Sequence, residues 1–186
     1  ILDGFKRFEQ LLFIVSGSSG NFDERYVEPN FLWFWKWTAY IIQFPSEMHT
    51  SVTITGPQGG GKTTYVEYLK KIGAQMVDSI TDPSQIFGQF NDAVKDKLVL
   101  CFEEASKLLL NSNGGEGKMK SLTTDSTIRI NEKHKSTTVI ENFAKIINLS
   151  NTDWGLSKIT HDDRRNTCFR TNAVDFFQGK DKQYKK

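Results

Sequence analysis

The spacing of hydrophobic positions changes character near residue 50. Before it, Phe5, Phe8, Leu12 and Val15 recur at intervals of three and four, which predicts one amphipathic helix over residues 5–15. The polar run SGSSGNFD then reads as a loop. In FLWFWKWTAYII, residues 31–42, apolar side chains wrap most of a helical circumference. A second helix is expected there, buried between other elements, with Trp33, Trp35 and Trp37 in core packing rather than exposed for base stacking. Lys36 interrupts this stretch, which is well short of the ~20 apolar residues needed to cross a bilayer.

Beyond Ser51 strand-like and helix-like runs alternate, the pattern of a mainly parallel sheet flanked by helices. SVTIT is the first strand. Residues 62–72 follow as a helix with Tyr65, Leu69 and Ile72 on one face and Gly73 placed to end it. AQMVDSI is a weaker strand. Asp82 can cap a helix with Pro83 at its first position and Ile86, Phe90 and Val94 as its apolar stripe. KLVLCF is a continuous apolar run, as expected of a strand buried on both faces. ASKLLL is helix-like, and NSNGGEGK reads as a flexible loop by composition. STIRI and STTVI flank NEKHK as the strands of a protruding hairpin, KIINLS is another buried strand, and NTCFRTNAV a last one. There is no internal repeat. The expected division is an N-terminal helical segment packed on the core (1–47), an α/β core (48–178) and a polar tail (179–186).

At 186 residues the chain can bury one substantial core, and two ordinary domains would be crowded. A net charge of +2 is too mild to demand a polyanionic partner, so any nucleic-acid argument rests on where the charge sits. Cys101 and Cys168 lie in strand-like segments and the three histidines are far apart, which reads as reduced thiols, an intracellular setting and no zinc site. ILDGFKRF carries no secretory signal, and a start at Ile rather than Met is the expectation for a piece of something longer.

Gly56, Pro57, Gln58, Gly59, Gly60, Gly61, Lys62 and Thr63 satisfy G-x-x-x-x-G-K-[ST], between a strand and a helix as that motif requires. Glycines let successive N–H groups close around phosphate oxygens, and Thr64 extends that set into the helix. Lys62 is expected to reach the β- and γ-phosphates of ATP, and the Thr63 hydroxyl to ligate Mg2+. The strand LVLCF runs into Glu103 and Glu104, expected at the C-terminal end of a buried strand beside the phosphate loop. Glu103 is assigned to the Mg2+ shell and Glu104 to the attacking water; the bland reading is two acids starting a helix. Asn151, at the tip of KIINLS, is read as a contact to the γ-phosphate or the lytic water, against an ordinary turn residue. Arg164 and Arg165 are candidates for an arginine supplied to a neighbour's nucleotide, against local salt bridging to Asp162 and Asp163. Lys133, His134 and Lys135 crowd the hairpin turn, with Lys118 and Lys120 just before it, suiting phosphate contacts that carry no sequence information, against an ordinary solvated polar turn that the charge alone favours equally.

Taken together these residues resemble the superfamily 3 helicases of viruses and plasmids, AAA+ proteins found in poxvirus-type primase-helicases, papillomavirus and polyomavirus replication proteins and parvovirus Rep proteins. The resemblance runs from RYVEPNFLWFWKWTAYIIQFP to about Phe177 and is nearest to the helicase domains of primase-helicases. GPQGGGKT stands as Walker A, LVLCFEEA as Walker B, KSLTTDSTIRINEKHKSTTVIENFAKII as the B-prime region and INLSN as motif C. The resemblance implies an AAA+-like P-loop core, ATP and Mg2+, and single-stranded DNA gripped at Lys133 and His134. It further implies a ring, a hexamer in the family, with DNA unwinding in viral or plasmid replication, a fused or associated primase domain and no membrane. If viral, the setting is host cytoplasm or nucleus. Asn151 matches motif C, and DDRRNTCF looks like the arginine-finger region, with Arg164 or Arg165 as the finger. Glu103 stands where many relatives carry Asp, and Asn166 where an aromatic residue is common. Two other functions share these parts: a P-loop nucleotide or small-molecule kinase, for which no lid segment is visible, and a non-unwinding ATP-dependent DNA-binding module.

Overall fold

The structure, a computed structural model, describes residues 2–82, 84–103, 114–151 and 163–172. Two helices come first, α1 (Leu2–Val15) and α2 (Pro29–Gln43), joined through a 3-10 turn at Phe22–Val27. Pro29 opens α2, where its missing N–H has no helical partner to lose. The buried carboxylate of Glu9 accepts hydrogen bonds from Arg25 Nη2 (2.7 Å) and the Tyr26 hydroxyl, tying α1 to the turn.

Five strands form a parallel sheet: β1 (Ser51–Thr55), β2 (Val77–Ile80), β3 (Val99–Glu103), β6 (Lys145–Ser150) and β7 (Asn166–Arg170), in the order β2-β3-β6-β1-β7. Between β3 and β6 the chain makes an antiparallel hairpin, β4 (Thr127–Ile130) and β5 (Thr138–Glu141). The crossover helices are α3 (Lys62–Gly73), the single turn α4 (Ser84–Phe87) and α5 (Gly115–Thr124).

Alternate residues of β3 enter different cores, which is why its sequence reads as an unbroken apolar run. Val99, Cys101, Ile147 and Leu149 face a cluster with α1, α2 and α3. Leu100, Phe102 and Ile146 face a second cluster with Ile86 and Phe87 of α4, Leu122 of α5 and Ile130 of the hairpin. Among the described residues no helix is long and apolar enough to cross a membrane, and both cysteines are free, Cys101 buried and Cys168 exposed.

Several expectations are corrected. Helix α2 is buried on one face only: Phe31, Phe34, Trp37 and Ile41 enter the core, whereas Trp33 stays 37% exposed beside Phe169. Trp35 is half-buried against the same core as Trp37, so Trp33 alone of the three departs from the expected packing. Ile72 is likewise exposed, and Val66 takes its place beside Tyr65 and Leu69. At the end of α3 the positive φ falls on Ala74 (φ 46°, ψ −122°), not Gly73; Gly73 instead leaves room for Val77, whose Cγ2 would lie 2.6 Å from an added Cβ. The helix expected through Phe90 and Val94 stops at Phe87. Gly88 turns so tightly that a Cβ there would lie 2.3 Å from the Ser84 carbonyl oxygen, and a separate 3-10 turn forms at Asp92–Val94. Asp82 does accept from the Ser84 N–H (2.9 Å), whereas Pro83 lies outside the described residues. Part of NSNGGEGK is helical: Gly114 (φ 76°) is the N-cap of α5, and burial of Leu122 holds a helix that glycine content disfavours. ASKLLL and the polar tail lie outside the described residues.

At the opposite edge of the sheet from the glycine loop, Lys145 is 2% exposed and donates from Nζ to the carbonyls of Pro45 and Phe143, the latter at 2.7 Å. This ties the α2–β1 linker to the start of β6. Burial pushes the ammonium down to about 8. Nearby His49 is also lowered, by burial and by the Lys145 charge. Between about 8 and the ordinary lysine value of 10.5, the unfolded chain holds a proton that the folded chain has lost, so stability rises with pH across that window. Urea unfolding at pH 7 and 9.5 should therefore show wild type gaining on Lys145→Met at the higher pH; parallel values at both would refute the assignment.

Candidate functional site

Strand β1 delivers the chain into the loop Gly56 to Gly61, from which α3 departs at Lys62. Gly56 (φ 135°) and Gly59 (φ 84°) adopt backbone conformations that strain any side chain. The loop is packed from behind: a Cβ at Gly56 or Gly60 would lie 2.5 or 2.4 Å from Thr171 Oγ1, and one at Gly61 would lie 3.0 Å from Leu11 Cδ1. Gly59 alone of the loop glycines faces open space. Thr63 and Thr64 are exposed on the first turn of α3, where free N–H groups and the helix dipole favour an anion.

Lys62 is 6% exposed, and its Nζ donates to the Gly56 (2.7 Å) and Pro57 (2.9 Å) carbonyls. Burial lowers its pKa. Those partners are neutral dipoles, so an anion in the loop gains a charge-assisted bond by exchange. Pro57 and Gln58 are exposed beside it.

Parallel pairing brings the other strand tips to the same edge. Thr55 is level with Ser150, and Leu149 with Glu103, so Asn151 projects one residue beyond the β1–β6 pairing. Glu103 is half-buried and Asn151 exposed, while Glu104 lies outside the described residues. One expectation is corrected: Glu103 is not on a strand beside the loop, because β6 lies between β3 and β1. Two strand spacings, about 10 Å, separate the backbones of β1 and β3, with Asn151 at the end of the strand between them. Beneath it, buried Asn148 Nδ2 donates to Thr53 Oγ1 at 3.3 Å.

The paired arginines sit at the opposite edge. Asn166 is level with Ser51 and Arg170 with Thr55, so Arg164 and Arg165 precede β7 at the end of the sheet away from the phosphate loop. Four residues of strand are about 13 Å, too far for either arginine to serve the loop of its own chain. Arg165 forks onto Asp163, Nε to Oδ1 at 2.9 Å and Nη2 to Oδ2 at 3.2 Å, which holds Asp163 below the usual carboxylate range. Asn166 joins them, donating to Asp163 Oδ2 (3.1 Å) and accepting from the Ser51 hydroxyl. Arg164 is exposed and makes no ion pair among the described residues; Asp162 is outside them.

At the hairpin tip Lys133, His134 and Lys135 are all exposed, and His134 (φ 63°) takes the left-handed position of the turn. Glu132 pairs with Lys135 and, at 3.1 Å, with Lys95, so Lys133 is the tip lysine without an ion pair among the described residues. Ile130, fully buried, roots the hairpin in the second core. Sequence reasoning missed Thr171 and Leu11 behind the loop and Asn91 beside the turn end of β4, none of which has a local motif to announce it.

Residues 54–165 match the model of a family described as "Family of unknown function (DUF5906)". The DNA Primase-polymerase of Nitratiruptor phage NrS-1 is 29% identical over 147 residues, covering 76% of this chain and 20% of that protein. The chain thus spans about a fifth of the length of that curated relative. An apo structure of the NrS-1 C-terminal region (305-718) is similar with a TM-score of 0.73 at 28% identity, over 90% of this chain and 38% of that one. An A form apo structure of the region gives 0.71 at 26% identity, over 89% and 37%.

Packing behind the loop yields a test by paired substitution. Gly60→Ala should cost about 1–3 kcal/mol of stability in denaturant unfolding by overpacking against Thr171, and Thr171→Ala added to it should recover most of that loss. Strict additivity of the two substitutions would show that the contact does not govern the loop.

Proposed function

This chain belongs to the DUF5906 family, and we propose that it is an ATP-dependent DNA helicase domain of the superfamily 3 type, acting in viral or plasmid DNA replication as a ring with ATP sites between subunits. The observation that carries this reading is the division of the site across the sheet. Loop, Asn151 and Glu103 share one edge, while Arg164 and Arg165 lie at the other, a separation that supports service to a neighbour rather than to their own chain.

Roles follow from position. The amides of Gly59 to Thr64 and the Lys62 ammonium hold the phosphates of ATP. The Thr63 hydroxyl and the Glu103 carboxylate suit Mg2+, a hard cation that takes oxygen ligands and would supply charge neutralisation across the β- and γ-phosphates. Glu104 takes the proton of the attacking water, and Asn151 donates its amide to the γ-phosphate or orients that water. Arg164, exposed and unpaired among the described residues, is the better candidate for the finger, since Arg165 is already forked onto Asp163. Lys133 and His134 grip single-stranded DNA by its phosphates, with Lys135 partly neutralised by Glu132. Likeness to part of a phage DNA Primase-polymerase supports placing the domain beside a primase in replication.

Steady-state ATP hydrolysis tests the reading, with Lys62→Ala as the blank. Turnover per subunit should rise with protein concentration and again with single-stranded DNA, and Arg164→Ala should lose about 1,000-fold. A one-to-one mixture of Lys62→Ala and Arg164→Ala should regain about a quarter of wild-type turnover, the share of head-to-tail interfaces that pair an intact loop with an intact arginine. Turnover independent of concentration, unmoved by DNA and diverted to a nucleoside monophosphate would replace the ring motor with a kinase.

A further inference from the structure

The hairpin has a third supporting strand in all but name. A two-stranded ribbon is marginal alone, and the free edge of β4 presents backbone groups that a neighbour would ordinarily pair. Residues 88–98, between α4 and β3, pass along that edge. There the Asn91 side-chain amide donates from Nδ2 to the Arg129 carbonyl (2.9 Å) and accepts at Oδ1 from the Asn131 N–H (2.8 Å). The backbone N–H of Asn91 adds a bond to the Asn131 carbonyl (3.2 Å). Bonding the C=O of one residue and the N–H of the residue two further on is how an adjoining strand pairs, so one side chain stands in for a peptide group. Four residues later Lys95 meets Glu132 at 3.1 Å, giving the same segment a second hold on the hairpin.

That segment continues directly into β3, whose last residue is Glu103. Ile130 of the hairpin is also packed in one cluster with Leu100 and Phe102 of β3. Hairpin and acid-bearing strand thus share one brace, and a tilt of the hairpin must either drag residues 88–98 with it or break the bonds at Asn91.

We propose that Asn91 is a positioning residue that couples nucleic acid on the hairpin to ATP turnover at the tip of β3. This rests on the reading of the hairpin as the DNA contact and of the strand tips as the hydrolytic site. Asn91 touches neither ligand; its role is to transmit the hairpin's position.

The test compares full-length wild type, Asn91→Ala and Asn91→Asp, with Lys133→Ala as contrast, using a single-stranded DNA oligonucleotide. In wild type, the oligonucleotide should slow amide hydrogen exchange in the hairpin and across residues 88–98; in Asn91→Ala the slowing should be confined to the hairpin. Basal turnover and DNA affinity of Asn91→Ala should stay within about two-fold of wild type while stimulation by saturating DNA falls about five-fold. Asn91→Asp keeps the acceptor but sets a carboxylate against the Arg129 carbonyl, and should resemble Asn91→Ala. Lys133→Ala should instead lose affinity. Stimulation and exchange in Asn91→Ala that match wild type overturn the proposal, and so does a parallel fall in basal turnover, which marks a merely structural role. A wild-type chain indifferent to DNA overturns the reading beneath it, and shows this before any substitution is made.

Discussion

The burial of one phenol sets the geometry of the loop-bearing edge. Tyr65 is completely enclosed; its hydroxyl shares a hydrogen bond with Thr38 Oγ1 at 2.9 Å, and its ring lies 4.9 Å from Phe34 and 6.5 Å from Phe8. Burial drives its ionisation far up, so the hydroxyl stays neutral and paired. Residues three apart on a helix lie on nearly the same face. Locking Tyr65 against α1 and α2 therefore also fixes Lys62, one turn earlier, and the aim of the free N–H groups at the start of α3. The N-terminal helices are in this sense the backing of the glycine loop, and the contact of Leu11 with Gly61 extends that backing to the loop itself.

How much was legible in the sequence depended on whether a residue's fate is decided locally. Strands β1 and β6 match the runs SVTIT and KIINLS end to end: β-branched and apolar positions mark them as strands, and even their polar residues, Ser51, Thr53, Thr55, Lys145, Asn148 and Ser150, are buried. The loop was legible because its glycines and Lys62 are contiguous. The hairpin was legible from two β-branched runs around a polar turn. Failures arose where a distant partner decides. Glycine-rich residues at the start of α5 are helical because Leu122 is buried, and Trp33 is half-exposed because Phe34, its neighbour in sequence, has the core position. Strand order was the largest gap: that β6 separates β3 from β1 is a pairing choice among similar apolar strands, and no single strand carries it.

That order divides the chemistry. Because all five strands of the sheet point one way, every residue that ends a strand shares one edge and every residue that begins one shares the other. Asp163, Arg165, Asn166 and Ser51 form a hydrogen-bonded knot at the starting edge, which fixes where Arg164 emerges. Asn166 earns its place in that knot through both ends of its amide, a polar role that an aromatic residue at this position could not fill.

The position of β1 also bears on how the chain is made. Its neighbours in the sheet are β6 and β7, and the paired residues Thr53 and Asn148 are 95 apart in sequence, Ser51 and Asn166 115 apart. At synthesis rates of about 5–20 residues per second, β1 leaves the ribosome roughly 6–20 s before its last neighbour exists. Over that interval it is a short segment with both edges unpaired, and the helices α1 and α2 are already made. Thr171, which backs the loop, comes later still. The loop therefore gains its backing only once Thr171 has been made, more than a hundred residues after Gly56.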